Sequence, residues 1–129
     1  MKFMLMMHAP RGTGDWNVAK WAPEDVKGMV EFMKSLNVSL KAEGRLVGAE
    51  GLAPPGEARV VRAGANGTHE VTDGPFAEAK EFLAGYWIVE VKSPEEAYAI
   101  AARVSSAPGP GGKALNIPVE VRAVGEAPA

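Results

Sequence analysis

The stretch Val71-Thr72-Asp73-Gly74-Pro75-Phe76-Ala77-Glu78-Ala79-Lys80-Glu81-Phe82-Leu83-Ala84-Gly85-Tyr86-Trp87 constrains the fold more than any other part of the chain. A strand-like run ends in Asp73-Gly74-Pro75-Phe76, and a second apolar run opens at Gly85. Gly tolerates positive φ, while Pro fixes its own φ and has no N–H to donate, so residues 74 and 75 turn the chain between strands. Residues 78–81 read as a charged half-turn, and the next strand is expected over residues 85–92.

Residues 2–8 read as a strand with Phe3, Leu5 and Met7 on one face and Met4, Met6 and His8 on the other. Both faces are apolar, which calls for cover on both sides. Residues 9–22 form a polar loop carrying Arg11, Asp15, Trp16, Lys20 and Trp21. Its two indoles must bury, either as a lid over the core edge or as a pocket wall. A helix follows over residues 23–43. Pro23 suits its first position, Glu24 and Asp25 suit the positive end of its dipole, and Gly44 stops it. Val26, Val30, Met33, Leu36 and Leu40 give it one apolar stripe, which reads as core and not as a cofactor site.

Residues 45–52 read as a core strand broken by Gly48 and Gly51 and closed by Pro54-Pro55. Residues 59–73 read as a hairpin with Asn66-Gly67 as a type I′ turn. With two loop residues, Ala65 faces Thr68 and Val60 faces Asp73. Val60, Arg62, His69, Val71 and Asp73 then share a face, with Arg62 diagonal to Asp73. His69 stands about 13 Å from Asp73 at ~3.3 Å per residue, too far for a direct dyad.

In residues 85–92, Trp87, Val89 and Val91 alternate with Tyr86, Ile88 and Glu90. Ser93-Pro94-Glu95-Glu96 starts a second helix, with Ser93 as cap and Glu96 completing a capping box. Ala97, Ile100, Ala101 and Val104 give it a narrow stripe that should lie close on the sheet. Residues 105–113 are Gly/Pro-rich and expected to be mobile, Ile117, Val119 and Val121 mark a last strand, and residues 125–129 a frayed tail.

Strand, helix, strand, hairpin, strand, helix, strand is a split βαβ pattern with an inserted hairpin, an α+β fold of ferredoxin-like type. Both helices then cover one face of an antiparallel sheet. Met4, Met6, Tyr86 and Ile88 project from the other, more apolar surface than a monomer leaves bare. A two-fold homodimer stacking sheet on sheet would cover it, with His8 and Glu90 lining the space between subunits.

At 129 residues the chain reads as one domain. Its formal net charge of -2 provides no basic field for nucleic acid. With no cysteine, disulfides, thiol catalysis and thiolate metal sites are excluded. Its 2 histidines lack metal-ligand spacing, so no zinc is expected. There is no dinucleotide glycine fingerprint, P-loop or serine-hydrolase elbow, so no cofactor is expected either. The apolar run at residues 3–7 is too short for a signal peptide, and no segment is long enough for a bilayer. A cytoplasmic protein without membrane partners is expected.

Asp73-Gly74-Pro75-Phe76-Ala77-Glu78-Ala79-Lys80-Glu81 with Gly85-Tyr86-Trp87 resembles the signature of the DGPF branch of YCII-related proteins. The likeness extends to Met1-Lys2-Phe3-Met4-Leu5-Met6, Glu50-Gly51-Leu52-Ala53-Pro54-Pro55 and Val119-Glu120-Val121-Arg122. The resemblance implies a dimeric, ferredoxin-like α+β barrel. It also implies a family mostly without assigned function, many of whose genes are thought to lie beside extracytoplasmic-function sigma factors. The shorter branch has a proposed His–Asp pair with its His on the first helix. This chain has no His there, so only Asp73 matches, and Ala123 stands where Pro is common.

Asp73 is the first candidate site residue. It reads either as an acceptor that holds the Gly74-Pro75 turn or as a general base in an apolar pocket, its pKa raised by desolvation. His8 is a second acid–base candidate. Lys80, Glu78, Tyr86, Glu90 and Arg62 are candidate ligand contacts. Three functions fit these residues: a small-ligand-binding or regulatory dimer with a pocket beside the motif, with the sigma-factor link that the resemblance implies; a metal-independent isomerase or lyase using Asp73; or a structural interaction module.

Overall fold

The computed structural model describes residues 1–10, 18–76 and 78–127. Among the described residues, eight strands and α-helices follow one another: β1 (Lys2–Pro10), α1 (Pro23–Ala42), β2 (Leu46–Gly51), β3 (Arg59–Ala63), β4 (His69–Asp73), β5 (Glu81–Glu90), α2 (Pro94–Ser105) and β6 (Val119–Ala123). Strands β1, β2, β5 and β6 form an antiparallel sheet in the order β2-β5-β1-β6, and β3 and β4 form a separate hairpin. With the hairpin set aside, the order is compatible with a ferredoxin-like split βαβ arrangement.

Strict alternation in β1 and β5 decides which side is core. Phe3, Leu5, Met7, Trp87 and Val89 pack with Leu36 and Leu40 of α1 and Ala97, Ile100, Ala101 and Val104 of α2. Both helices therefore lie on one face, as the pattern of the sequence demands. Met4, Met6, Tyr86 and Ile88, the cross-strand partners on the opposite face, stay half-buried.

The ends of both helices follow local chemistry. Gly44 takes φ +71 just past α1, where a side chain would be strained. At α2 the Ser93 hydroxyl accepts the Glu96 N–H at 3.3 Å, while Glu96 Oε2 accepts the N–H of Lys92, one residue before the position a capping box would use. No described helix is long and apolar enough to cross a membrane.

Four expectations need correction. Residues 46–51 form an edge strand, not a core strand, because β5 occupies the centre beside β1. Residue 47 is bulged out of its pairing with β5. Strand β5 begins at Glu81, four residues before Gly85, because β1 runs on to Pro10 and offers its backbone to Glu81, Phe82 and Leu83. The Gly/Pro-rich loop after α2 is docked: Gly109 N–H donates to the Lys113 carbonyl at 2.7 Å, Gly111 N–H donates to Asp25 Oδ1 at 3.2 Å, and Ala107 is buried.

The fourth correction concerns the hairpin register. Asn66 (φ 57, ψ 39) and Gly67 (φ 75) do take the left-handed angles of a type I′ turn, and Thr68 N–H donates to the Ala65 carbonyl. The Thr68 carbonyl, however, accepts from Gly64 and not from Ala65. Ala65 is thus one residue extra, and every pair shifts by one: Arg59 faces Asp73, Val60 faces Thr72, Val61 faces Val71 and Arg62 faces Glu70. A one-residue slip exchanges the faces of a strand, so Arg62 lies on the side away from Asp73.

Candidate functional site

A cleft of about 1150 Å³ lies beneath the N-terminal half of α1. Val26, Met29, Val30 and Met33 of α1 form one wall, and Leu52, Pro54 and Pro55 form the other. Ala49, Ala84, Gly85 and Trp87 make the floor. The stripe expected to be core is therefore split. Leu36 and Leu40 are buried, but Val26, Val30 and Met33 face the cleft. Lys20 and Val18, from the short 3₁₀ turn before α1, stand at its rim. Trp21 is half-buried, and of the loop's described residues Pro10, Val18 and Lys20 line the cleft; Arg11, Asp15 and Trp16 lie outside the described residues.

The floor exists because two small residues sit where the sheet is irregular. Met7 pairs with Gly85 and His8 with Leu83, leaving Ala84 as a bulge whose carbonyl accepts the Leu52 N–H at 2.9 Å. At Gly85 a Cβ would sit 3.0 Å from the Glu50 carbonyl oxygen. Glycine there lets the end of β2 close on β5, and the Pro54-Pro55 segment then turns away to make the wall. At the base, Trp87 Nε1 donates to Asn37 Oδ1 at 2.8 Å, tying the sheet to α1 where the cleft ends.

The Asp73-Gly74-Pro75-Phe76 turn does not line this cleft. Its pocket was expected beside the motif, but the chain leaves the sheet after Gly51 and returns at Glu81, which carries the turn outward with the hairpin. Asp73 has a side chain 97% exposed, with Arg59 Nε 3.7 Å away across the strand pair. Neither environment proposed for it surrounds it here: there is no apolar pocket, and among the described residues its carboxylate accepts no backbone N–H. Gly74 closes the base of the hairpin instead. Its N–H donates to the Ala58 carbonyl at 2.9 Å, and a Cβ there would meet Ala58 backbone atoms at 3.2 Å. The Gly74–Pro75 peptide is cis. Glu78, Lys80 and Arg62 are exposed and apart from the cleft, and His69 lies exposed on β4.

The open sheet face holds the other candidates. His8 Nε2 lies 3.0 Å from Glu120 Oε1, a pairing of β1 with β6 that reading along the sequence missed because 112 residues separate the two. Only the adjacency of β6 to β1, with Met6 opposite Glu120, could have revealed it. Tyr86 lies between Met6 and Glu50 on the same face. Glu90 does share the face with His8, but it pairs with Lys2 at the far end of β1 and lies 3.5 Å from the Met1 amino group. Six residues at about 3.3 Å each put roughly 20 Å between His8 and Glu90. The structure does not bring them together.

Among the described residues, one carboxyl has a shifted pKa. A hydrogen bond from the Arg45 guanidinium holds Glu43, at the end of α1, below the usual carboxylate range against the effect of desolvation, helped by the Arg45 charge, Ser39 and Arg103. This pair is partly exposed, remote from the cleft, and structural.

Fold and site together define an α+β protein with two helices on one face of an antiparallel sheet and an apolar cleft under the longer helix. Residues 1–110 match the YCII-related domain, and the chain belongs to that family. An uncharacterized protein of Rhizobium meliloti (strain 1021), R00369, is 31% identical over 87 residues, which span 67% of this chain and 69% of that protein.

Proposed function

We propose that the protein binds a small, largely apolar ligand in the cleft between α1 and the end of β2. The observation that carries this reading is the cleft itself: about 1150 Å³, walled mainly by aliphatic and thioether side chains, with few polar groups. Ligand sites commonly have this character, with apolar walls and a small number of placed polar atoms. The site lies under α1 and not at the Asp73 turn. The test is to fill it. Met33→Trp should remove any ligand that native mass spectrometry finds on the parent protein, while leaving the circular dichroism spectrum unchanged. A parent that carries nothing, and that binds no member of a panel of small apolar compounds, would defeat the reading.

In this proposal the working unit is a homodimer, closed as a dimeric α+β barrel over the open sheet face. Support comes from Met4, Met6, Tyr86 and Ile88, which the helices leave half-covered on that side. A ligand-responsive dimer suits regulation, and the sigma-factor link that the family resemblance implies belongs with that use.

A second reading has its own observation. The His8–Glu120 pair on the open face has a base and an orienting carboxylate in contact, which acid–base chemistry needs. A metal-independent isomerase or lyase would use this pair more readily than the solvated Asp73.

A further inference from the structure

The chemistry of the cleft restricts what it can hold. Four residues with polar side chains line it among the described ones: Lys20, Lys34, Asn37 and Glu50. Glu50 is opposite Tyr86 in the strand register, so its side chain belongs to the open face and the cleft meets its backbone. Asn37 is fixed in one orientation. An indole N–H can only donate, so the carboxamide atom 2.8 Å from Trp87 Nε1 is the oxygen. The other end of that carboxamide is an NH2 group with two donors. No buried side-chain nitrogen or oxygen among the described residues lacks a partner, so this unpaired NH2 is reached from the open cleft. Lys34 is one turn before Asn37 on the same side of α1, and Lys20 stands across the rim. Neither lysine makes an ion pair with a described residue. Apolar stems along the wall with ammonium heads at the mouth are the usual posture of such lysines.

Among the described residues, every polar side-chain group facing the cleft is therefore a donor, and two carry positive charge, above walls of Met29, Met33 and Phe82. Donors converging at one end of an apolar cavity complement an anion attached to a hydrocarbon body. We infer that the ligand is a small amphipathic carboxylic acid, aliphatic or aromatic. Its carboxylate meets the Asn37 amide and the lysine ammoniums, and its body lies along α1. This inference rests on the cleft being a binding site and adds the class of ligand.

Isothermal titration with decanoate, decanol and decyltrimethylammonium separates the two ideas. Decanoate should bind at least about tenfold more tightly than either other probe, the scale of a hydrogen bond to a charged group. Asn37→Asp keeps an oxygen for the Trp87 indole and replaces the NH2 with a second oxygen. It should weaken decanoate about tenfold or more and leave decanol unchanged. Lys34→Glu, on the exposed helix surface, should act in the same direction if the first variant fails to fold. Decanol binding as tightly as decanoate, or a folded variant indifferent to the headgroup, overturns the carboxylate inference and leaves the cleft standing. No binding by any of the three probes overturns both.

Discussion

The two helices solve the same packing problem in opposite ways. α2 has 12 residues and buries Ala97, Ile100, Ala101 and Val104. α1 has 20 residues and buries only Leu36 and Leu40. On α2 the small residues are on the helix, so its backbone settles onto strands β1 and β6. Under α1 the small residues are on the sheet, at Ala49, Ala84 and Gly85, while the helix presents Met29 and Met33. The Trp87–Asn37 hydrogen bond marks the boundary. Past it, toward the C-terminus, α1 is seated; before it, the helix spans the cleft. A closed helix–sheet contact and an open one differ here by which partner carries the small side chains.

The largest test of that contrast is a matched pair of truncations. Ile100→Ala under α2 should cost about 2–5 kcal/mol, because the surrounding core leaves a cavity. Met29→Ala, bordering the cleft, should cost no more than about 1 kcal/mol, since its side chain already borders open space. Denaturant titrations with equal m-values are the measurement. Equal costs would mean that the cleft is closed in solution.

The helix starts sharpen the same contrast with a smaller effect. α2 has the Ser93 hydroxyl as cap, whereas Ala22 leaves α1 without a side-chain cap. Ser93→Ala should lower stability by about 1 kcal/mol, and Ala22→Ser should raise it by about 0.5–1 kcal/mol. Urea midpoints moving in the same direction for both substitutions would break the assignment of the two starts.

The smallest effect is at the seated end of α1. Glu43 is held below the usual carboxylate range chiefly by its hydrogen bond from Arg45. A depressed folded-state pKa contributes stability above the unfolded value and loses it as pH falls through the folded one. The melting temperature of Glu43→Gln should therefore converge with that of the parent on the acid side and lie slightly below it at neutral pH. Solvent reaches both partners, so the gap should be small. A gap that widens on acidification would reverse the sign of this linkage.

Much of the fold was legible because its determinants are local or periodic. Period-two alternation in β1 and β5 assigned the core face residue by residue, and Pro23, Gly44, Ser93 and Pro94 marked helix ends through chemistry that acts within one turn. Even the type I′ angles at Asn66 and Gly67 were readable. What the local pattern could not contain was how strands meet. The single extra residue at Ala65 shifted the whole hairpin register and separated Arg62 from Asp73, because register depends on which N–H meets the Thr68 carbonyl, and that of Gly64 does so in place of Ala65. The His8–Glu120 contact exists only because β6 lies beside β1. The cleft needed three separate conditions together: a bulge at Ala84, a glycine at residue 85 beneath Glu50, and a long helix seated only at its C-terminal end. Patterns within the sequence specify which face of each element is apolar. Whether that face meets a close partner, a distant one or none depends on the spacing between elements, and that was decided only when the chain folded.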